Sequence, residues 1–488
     1  MESKTTDRRE KEKPITSSAS QSSPVACRNL VGGWVGFRKN RNPDQTDPRD
    51  YDLTAELRLT PEQLIRNTTS LSSSGLMDFA AVETCRGLRS YDVTDPDRKT
   101  ETTPNFNIQS WNDVGWNNPM IKTPNLNVLA REGVILERSY VSPLCSPSRA
   151  ALLTGMYPFK LGMQHGVIKK TKPHGLPLNV TILPEKLRQL GYSTHIIGKG
   201  FDTFFGFYSG QADYYKHKSG KERGYDFRFN KKVYKPRRMY YSTTLFRKHA
   251  VNIINHHNKR KPLFLYLPFQ SVHSPLQNGG TPFYGGNNWP LRGGKATLWE
   301  GGTRVPSFVW GKMLNRTHYV NKQMIHVVDW YPTLLALAGG KPVSGIDGVN
   351  QWETLSNNLP SKRTEFVYSI NQISGRAAIR MGKYKLIEGS PGHYRDWYPP
   401  QTDRKATVKI ERSQNRVEDR HRNYTLLYDV ENDPIETNNL SAKYPHIVER
   451  LRKRLAEYKK DLVEPFNPRK IRRALPKFWG GIWSPGWC

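Results

Sequence analysis

The stretch Pro-Leu-Phe-Leu-Tyr-Leu-Pro-Phe, residues 262–269, does most to limit the folds open to this chain. Eight apolar residues in a row are too few to span a bilayer, and their unbroken run reads as a buried strand. Its surroundings repeat one theme. Thr123 caps and Pro124 opens a helix through Leu126 and Leu129, Gly133 can end it, and Val134–Leu136 follows as a buried strand. A helix carrying Leu183, Leu187 and Leu190 stops at Gly191 and leads into a strand at 194–197. Asp329 caps a further helix through Leu334, Leu335 and Leu337. Strands that alternate with helices argue for an α/β sandwich with a mostly parallel sheet.

The character changes past Trp352. Residues 378–381 and 383–387 look like paired strands, 427–430 like another, and 447–458 like an amphipathic basic helix, with a polar loop over 390–422. These make a smaller α+β unit over 351–488, after a larger unit over 105–350. Residues 1–104 are polar, rich in Ser, Thr, Asp and Arg, and poor in apolar periodicity. They are expected to be a disordered N-terminal extension without a packed core.

Chemistry concentrates at Cys145-Ser146-Pro147-Ser148-Arg149. A reactive side chain just ahead of a Pro that can start a helix stands at a helix N-terminus, where free N–H groups and the dipole favour an anion. Arg149 falls about one turn further on and can lean back toward the same anion. A net charge of +32 calls for a polyanionic partner or a basic surface. Sulfated glycan and nucleic acid both qualify, but no RNP motif, Cys/His finger or basic heptad supports nucleic acid. Four cysteines, Cys27, Cys85, Cys145 and Cys488, are too few and too scattered for a disulfide framework or a zinc site. No apolar run reaches bilayer length. No signal peptide is visible in Met1–Pro24, yet Asn67, Asn179, Asn315, Asn423 and Asn439 head N-x-S/T triplets that mildly favour a secretory history.

The whole string C-S-P-S-R-A-A-L-L-T-G, Cys145 to Gly155, resembles the signature of the type I sulfatases, and the downstream context is similar to the arylsulfatase B branch. The resemblance extends over roughly 111–488 and includes the Trp-rich end W-G-G-I-W-S-P-G-W. It implies an alkaline-phosphatase-like sandwich with a smaller C-terminal α+β domain, and a hydrolase of sulfate esters of sugars or aryl alcohols. It also implies a lysosomal or secreted location and a formylglycine-generating enzyme as partner if the chain is routed to the ER. In that family the Cys becomes formylglycine, so Cys145 is expected to react and Arg149 to orient it. Lys199 in Gly-Lys-Gly, His273 in Gln-Ser-Val-His and Lys295 in Arg-Gly-Gly-Lys match the family's other catalytic positions.

The resemblance also implies one Ca²⁺ per site, held by the oxidised Cys145 and by acidic residues. Here the pattern departs. Asn107-Ile108-Gln109-Ser110 stands where two Asp residues are expected, and Gln277-Asn278 where an Asp-Asn pair is, so Asn278 alone survives beside Cys145. Asp113 matches a family Asp that is not a ligand. The chain joins Gly200 to Phe201 and Gln277 to Asn278 where the family carries longer segments. The family's first hydrophobic strand is missing, which should leave an unpaired sheet edge beside the site. A catalytically dead descendant, or a splice product lacking those segments, that at most binds sulfated glycan is the alternative.

Overall fold

The computed structural model describes residues 76–83, 103–108, 110–198, 202–210, 212–236, 240–269, 286–399 and 424–484. In chain order the first strands are β1 (Leu76–Glu83) and β2 (Thr103–Ile108), followed by helix α1 (Pro124–Glu132) and strand β3 (Val134–Leu136). Short β4 (Ser139–Tyr140) precedes α2 (Cys145–Thr154) and α3 (Leu183–Gln189). Then come β5 (Ser193–Gly198), β6 (Thr203–Gly206), and the two-residue strands β7 (Lys218–Ser219), β8 (Gly224–Tyr225), β9 (Arg228–Phe229) and β10 (Lys232–Val233). Helix α4 (Ser242–His256) leads to β11 (Leu263–Pro268), α5 (Glu300–Thr303), β12 (Ser307–Trp310), β13 (Tyr319–Asn321) and β14 (Ile325–His326). Helices α6 (Trp330–Leu337) and α7 (Trp352–Asn357) precede the C-terminal strands β15 (Glu365–Asn371), β16 (Arg376–Met381), β17 (Tyr384–Glu388) and β18 (Thr425–Asp429), and α8 (Pro445–Lys460) packs behind them.

Ten strands form one sheet in the order β10-β9-β6-β5-β11-β1-β2-β12-β3-β13. It is mixed: β11, β5 and β6 run parallel to one another, as do β3 and β13, and the other neighbours are antiparallel. The run at 262–269 became β11 because both its faces are covered. Leu263 and Leu265 enter a core with Leu126 of α1 and Leu245 and Phe246 of α4, whereas Phe264 and Tyr266 enter a core with Ala151 of α2, Leu183 and Leu187 of α3, and Leu334 of α6. Alternate residues of a strand point to opposite faces, so an unbroken apolar run is what a sheet with helices on both sides requires.

Two expectations change at the N-terminal side. Residues 76–83, counted with the extension over 1–104, form β1 and pair with β2 on one side and β11 on the other. The edge of β11 is therefore closed, not open. Leu-Met-Asp-Phe-Ala-Ala-Val-Glu lacks alternation, so nothing local marks it as a strand, but it supplies the backbone groups that β11 would otherwise leave unpaired.

The C-terminal sheet is an antiparallel meander, β15-β16-β17-β18. Helix α8 covers it with Ile447, Val448, Leu451 and Leu455, spaced along one face, and burying each such side chain stabilises by roughly 1.5–3 kcal/mol. Arg452 and Arg454 flank that stripe on its two sides and pair with Glu388 and Glu365 of the sheet at 2.9 and 2.6 Å. The end of the chain returns to the large sheet. Trp483 N–H donates to the Tyr225 carbonyl (2.9 Å), its indole Nε1 to the Ser219 carbonyl (2.9 Å), and its own carbonyl accepts from Arg228 Nη2. Among the described residues no helix is long and apolar enough to cross a membrane.

Two capping assignments also differ from expectation. Thr123 precedes α1, but its hydroxyl accepts from Gly115 N–H (2.9 Å) and donates to Asn127 Oδ1 (2.7 Å), so it ties in the preceding loop instead. Asp329 is drawn to the buried Arg363, whose Nε donates to its Oδ2 at 2.7 Å. An ion pair at that depth outbids a cap.

Candidate active site

Helix α2 begins at Cys145 itself, with Leu144 extended before it at φ −134° and ψ 153°. No side chain caps the helix, so its first N–H groups keep their donors and the positive end of the dipole faces outward. Ser148 shapes this first turn: its hydroxyl lies 2.8 Å from the Ser142 carbonyl and 2.7 Å from that of Leu144. Gly155 closes the helix in the left-handed region at φ +70°, and its carbonyl accepts from the N–H groups of Asp347 and Gly348. A Cβ there would lie 3.1 Å from Tyr331 Cβ.

Arg149 is carried one turn along α2 and its Nη1 donates to the Tyr266 hydroxyl of β11 at 3.1 Å. Tyr266 had no place among the candidate residues, because an aromatic inside an apolar run looks like plain core. The polar tip is the only signal that could have singled it out.

Lys295 arrives on a loop pinned by distant residues. The Arg292 guanidinium lies over Trp299 and Trp397, 3.9 and 4.5 Å from the ring centres, and Nη1 donates to the Glu436 carbonyl at 3.1 Å. Gly293, at φ +74°, gives its N–H to the Asp396 carbonyl, and Ala296 N–H reaches the Pro143 carbonyl at 3.0 Å. Lys295 is thereby held against the head of α2. Burial pushes its ammonium below the usual lysine range, the Cys145 sulfur opposes this, and Arg149 adds to it. Cys145, Arg149 and Lys295 therefore act on one another electrostatically.

The segment around Asp113 docks on the start of the same loop. Trp111 N–H donates to Asn288 Oδ1 (3.1 Å) and Asn287 N–H to Asp113 Oδ1 (3.1 Å). Burial pushes the Asp113 carboxyl up to about 7, against the pull of the Ser110 hydroxyl and of that backbone donor. Lys199, His273 and Asn278 lie outside the described residues. The preceding strands, β5 ending at Gly198 and β11 at Pro268, are parallel neighbours whose carboxyl ends lie at the same end of the sheet.

The family model for sulfatases matches residues 108–285 and 278–340, and that for the C-terminal region of aryl-sulfatase matches 361–481. Arylsulfatase J of Mus musculus is 36% identical over 476 residues, which covers 77% of this chain and 78% of that one. The chain belongs to the type I sulfatase family. N-acetylgalactosamine-6-sulfatase of Mus musculus is 26% identical over 458 residues, covering 74% of this sulfatase and 87% of that relative. Among solved structures, Ps i-CgsB in complex with k-i-k-neocarrahexaose superposes with a TM-score of 0.61 at 23% identity, covering 73% of this chain and 92% of that one. The PsFucS1 sulfatase from Pseudoalteromonas sp. gives 0.55 at 20% identity, covering 74% and 90%. These likenesses establish the alkaline-phosphatase-like α/β fold with its C-terminal antiparallel sheet.

Ca²⁺ is the metal this family implies. A hard dication takes six to eight oxygen ligands, several of them carboxylate. Among the described residues of this sulfatase no three His, Cys, Asp or Glu side chains stand together to hold an ion. The carboxyl of Asp113, docked beside the start of the Lys295 loop, is pushed by burial toward its neutral form. The described residues do not fit a Ca²⁺ site.

Proposed function

We propose that this sulfatase cleaves sulfate esters of sugars at the head of α2, with Cys145 oxidised to formylglycine as the reacting residue. The convergence of Cys145, Arg149 and Lys295 on an uncapped helix N-terminus carries this reading. Hydrated formylglycine supplies a nucleophilic oxygen for the sulfur and lets sulfate leave as the aldehyde re-forms. The remaining tasks fall to this chain's own side chains. The first-turn N–H groups and Lys295 neutralise the sulfate oxygens, where preorganised donors lower the barrier most. Arg149, fixed by Tyr266, orients residue 145. Lys199 adds a second ammonium, and His273 gives a proton to the departing alcohol.

Sulfated saccharides are the substrate class. The name of the N-acetylgalactosamine-6-sulfatase relative and the net charge of +32 both favour a sulfated sugar chain. Oxidation of Cys145 requires a formylglycine-generating enzyme, hence passage through the ER toward a lysosomal or secreted location. Asn179, Asn315 and Asn439 head N-x-S/T triplets and are exposed, which suits that route.

The test is sulfate release from N-acetylgalactosamine 6-sulfate, with mass spectrometry of the peptide that contains residue 145. Cys145→Ala should abolish release and leave sugar affinity within a few-fold. A variant that releases sulfate as fast as the parent would refute the assignment. Binding without turnover by the parent would instead select a glycan-holding protein, the reading favoured by the lack of a carboxylate cluster among the described residues.

A further inference from the structure

Beside the head of α2 lies a shallow cleft of about 20 Å³, room for a group the size of one or two waters, that opens to solvent. One wall is Pro143, Leu144 and Pro147, the residues that flank Cys145, and the other includes Gln164, Ser369 and Arg376. Arg376 starts β16 and gives Nη1 to the carbonyl of Ala296, the residue after Lys295, at 3.3 Å. Its Nε is buried without an acceptor, and no carboxylate among the described residues pairs with it. A guanidinium withdrawn from water without a counter-charge is costly unless an anion arrives to complete it.

The neighbours share this imbalance. His165 is pushed below the usual histidine range, first by burial and then by Lys172, Lys169 and Arg376, so four cationic or ionisable nitrogen groups lie together. The Lys172 ammonium meets a neutral partner, Asn467 Oδ1, and no carboxylate among the described residues. Gln164, 6% exposed, spends its Nε2 on the Val463 carbonyl (2.8 Å) and Gln372 Oε1 (3.2 Å). Its own Oε1 faces no donor. A saccharide answers both demands, since an acidic substituent fits the cations and a hydroxyl can donate to the lone amide oxygen.

We propose that Arg376 forms a second anion subsite, which takes the carboxylate or second sulfate of the sugar adjoining the one whose sulfate ester meets Cys145. This rests on the sulfatase reading of the Cys145 site and adds to it the requirement for a doubly anionic saccharide. The hydrogen bond to Ala296 ties the start of β16 to the Lys295 loop, so the two subsites adjoin. The planar fork of Arg suits either oxyanion, and the two are told apart by the probes below.

The experiment is calorimetric titration of the full chain with four probes. They are N-acetylgalactosamine 6-sulfate, a hexuronate-containing disaccharide of it, the methyl ester of that disaccharide, and a disulfated disaccharide without the uronate. The parent protein should bind the free acid, the disulfate or both about tenfold more tightly than the ester, the scale of one charged hydrogen bond. Arg376→Gln should erase that preference, Arg376→Lys should keep part of it, and affinity for the monosaccharide should stay within about twofold in both. A preference retained by Arg376→Gln, or absent from the parent, overturns the subsite. If Lys295→Ala abolishes monosaccharide binding while Arg376→Gln changes nothing, the subsite alone fails. If the parent binds none of the four, the sulfatase reading fails with it.

Discussion

Replacing Lys385 by Met should remove about 3–5 kcal/mol of stability at pH 7, and about 2 kcal/mol more at pH 8.5. Lys385 Nζ sits 2.9 Å from Glu300 Oε1 and 2.8 Å from Glu436 Oε1, and all three side chains are fully buried. Glu300 also accepts from the hydroxyls of Tyr140 (2.8 Å) and Tyr368 (3.0 Å), and its N–H donates to Glu436 Oε2 (2.7 Å). The cluster therefore joins α5, just after the Lys295 loop, to the C-terminal sheet. Without the ammonium, two carboxylates share one enclosed space, and the Arg304 and Arg380 charges only partly offset them.

The escape is to protonate Glu436, whose carboxyl burial already pushes from 4.5 up to about 7, against the pull of Lys385. A raised carboxyl stabilises the fold fully below its unfolded value near 4.5, and that contribution is lost as pH rises through about 7. Above pH 7 the parent protein has released the proton and feels no further cost. The variant must keep it, at about 1.4 kcal/mol per pH unit. Urea denaturation at the two pH values, followed by tryptophan fluorescence, measures the difference. A deficit below about 1 kcal/mol at pH 7, or one that does not grow by pH 8.5, would refute the reasoning.

Tyr266→Phe removes the acceptor of Arg149 and should lower kcat/KM for sulfate release about tenfold while the melting temperature stays within about 2 °C. Gly155→Ala forces a side chain into a left-handed position 3.1 Å from Tyr331 Cβ and should cost about 1–3 kcal/mol in chemical denaturation. A chain beginning at residue 101 lacks β1 and should melt more than about 10 °C below the full chain, because the sheet loses the strand between β2 and β11. Equal melting temperatures would remove β1 from the fold.

Where a structural element follows from neighbours in sequence, it was legible beforehand. The period of Leu126 and Leu129, the apolar run of β11, the 447–455 stripe of α8 and the Cys145–Arg149 spacing are all local patterns, and each marks its element. What escaped depends on partners far along the chain. Asp329 looks like a cap until Arg363 claims it, and β1 looks like tail until β11 needs a neighbour. Resemblance pointed to Lys295, but its placement depends on Trp397, Asp396 and Glu436, about a hundred residues or more away. Arg376 drew no notice, because a lone Arg opening a strand looks like ordinary surface until its missing counter-ion is seen.

The return of the C-terminal tail also has a bearing on synthesis. Arg228 is 5% exposed, and its Nη2 is satisfied by a carbonyl 255 residues later, at Trp483. At roughly 5–20 residues per second, a ribosome delivers that partner about 10–50 s after Arg228 itself has emerged. For that interval Arg228 has its local partners, the Lys231 carbonyl and the Tyr208 ring, while its Nη2 still lacks an acceptor. A premature stop that removes only the final few residues would make the vacancy permanent. Quality control would then meet a chain whose site residues are all encoded, but whose fold lacks its last fastening.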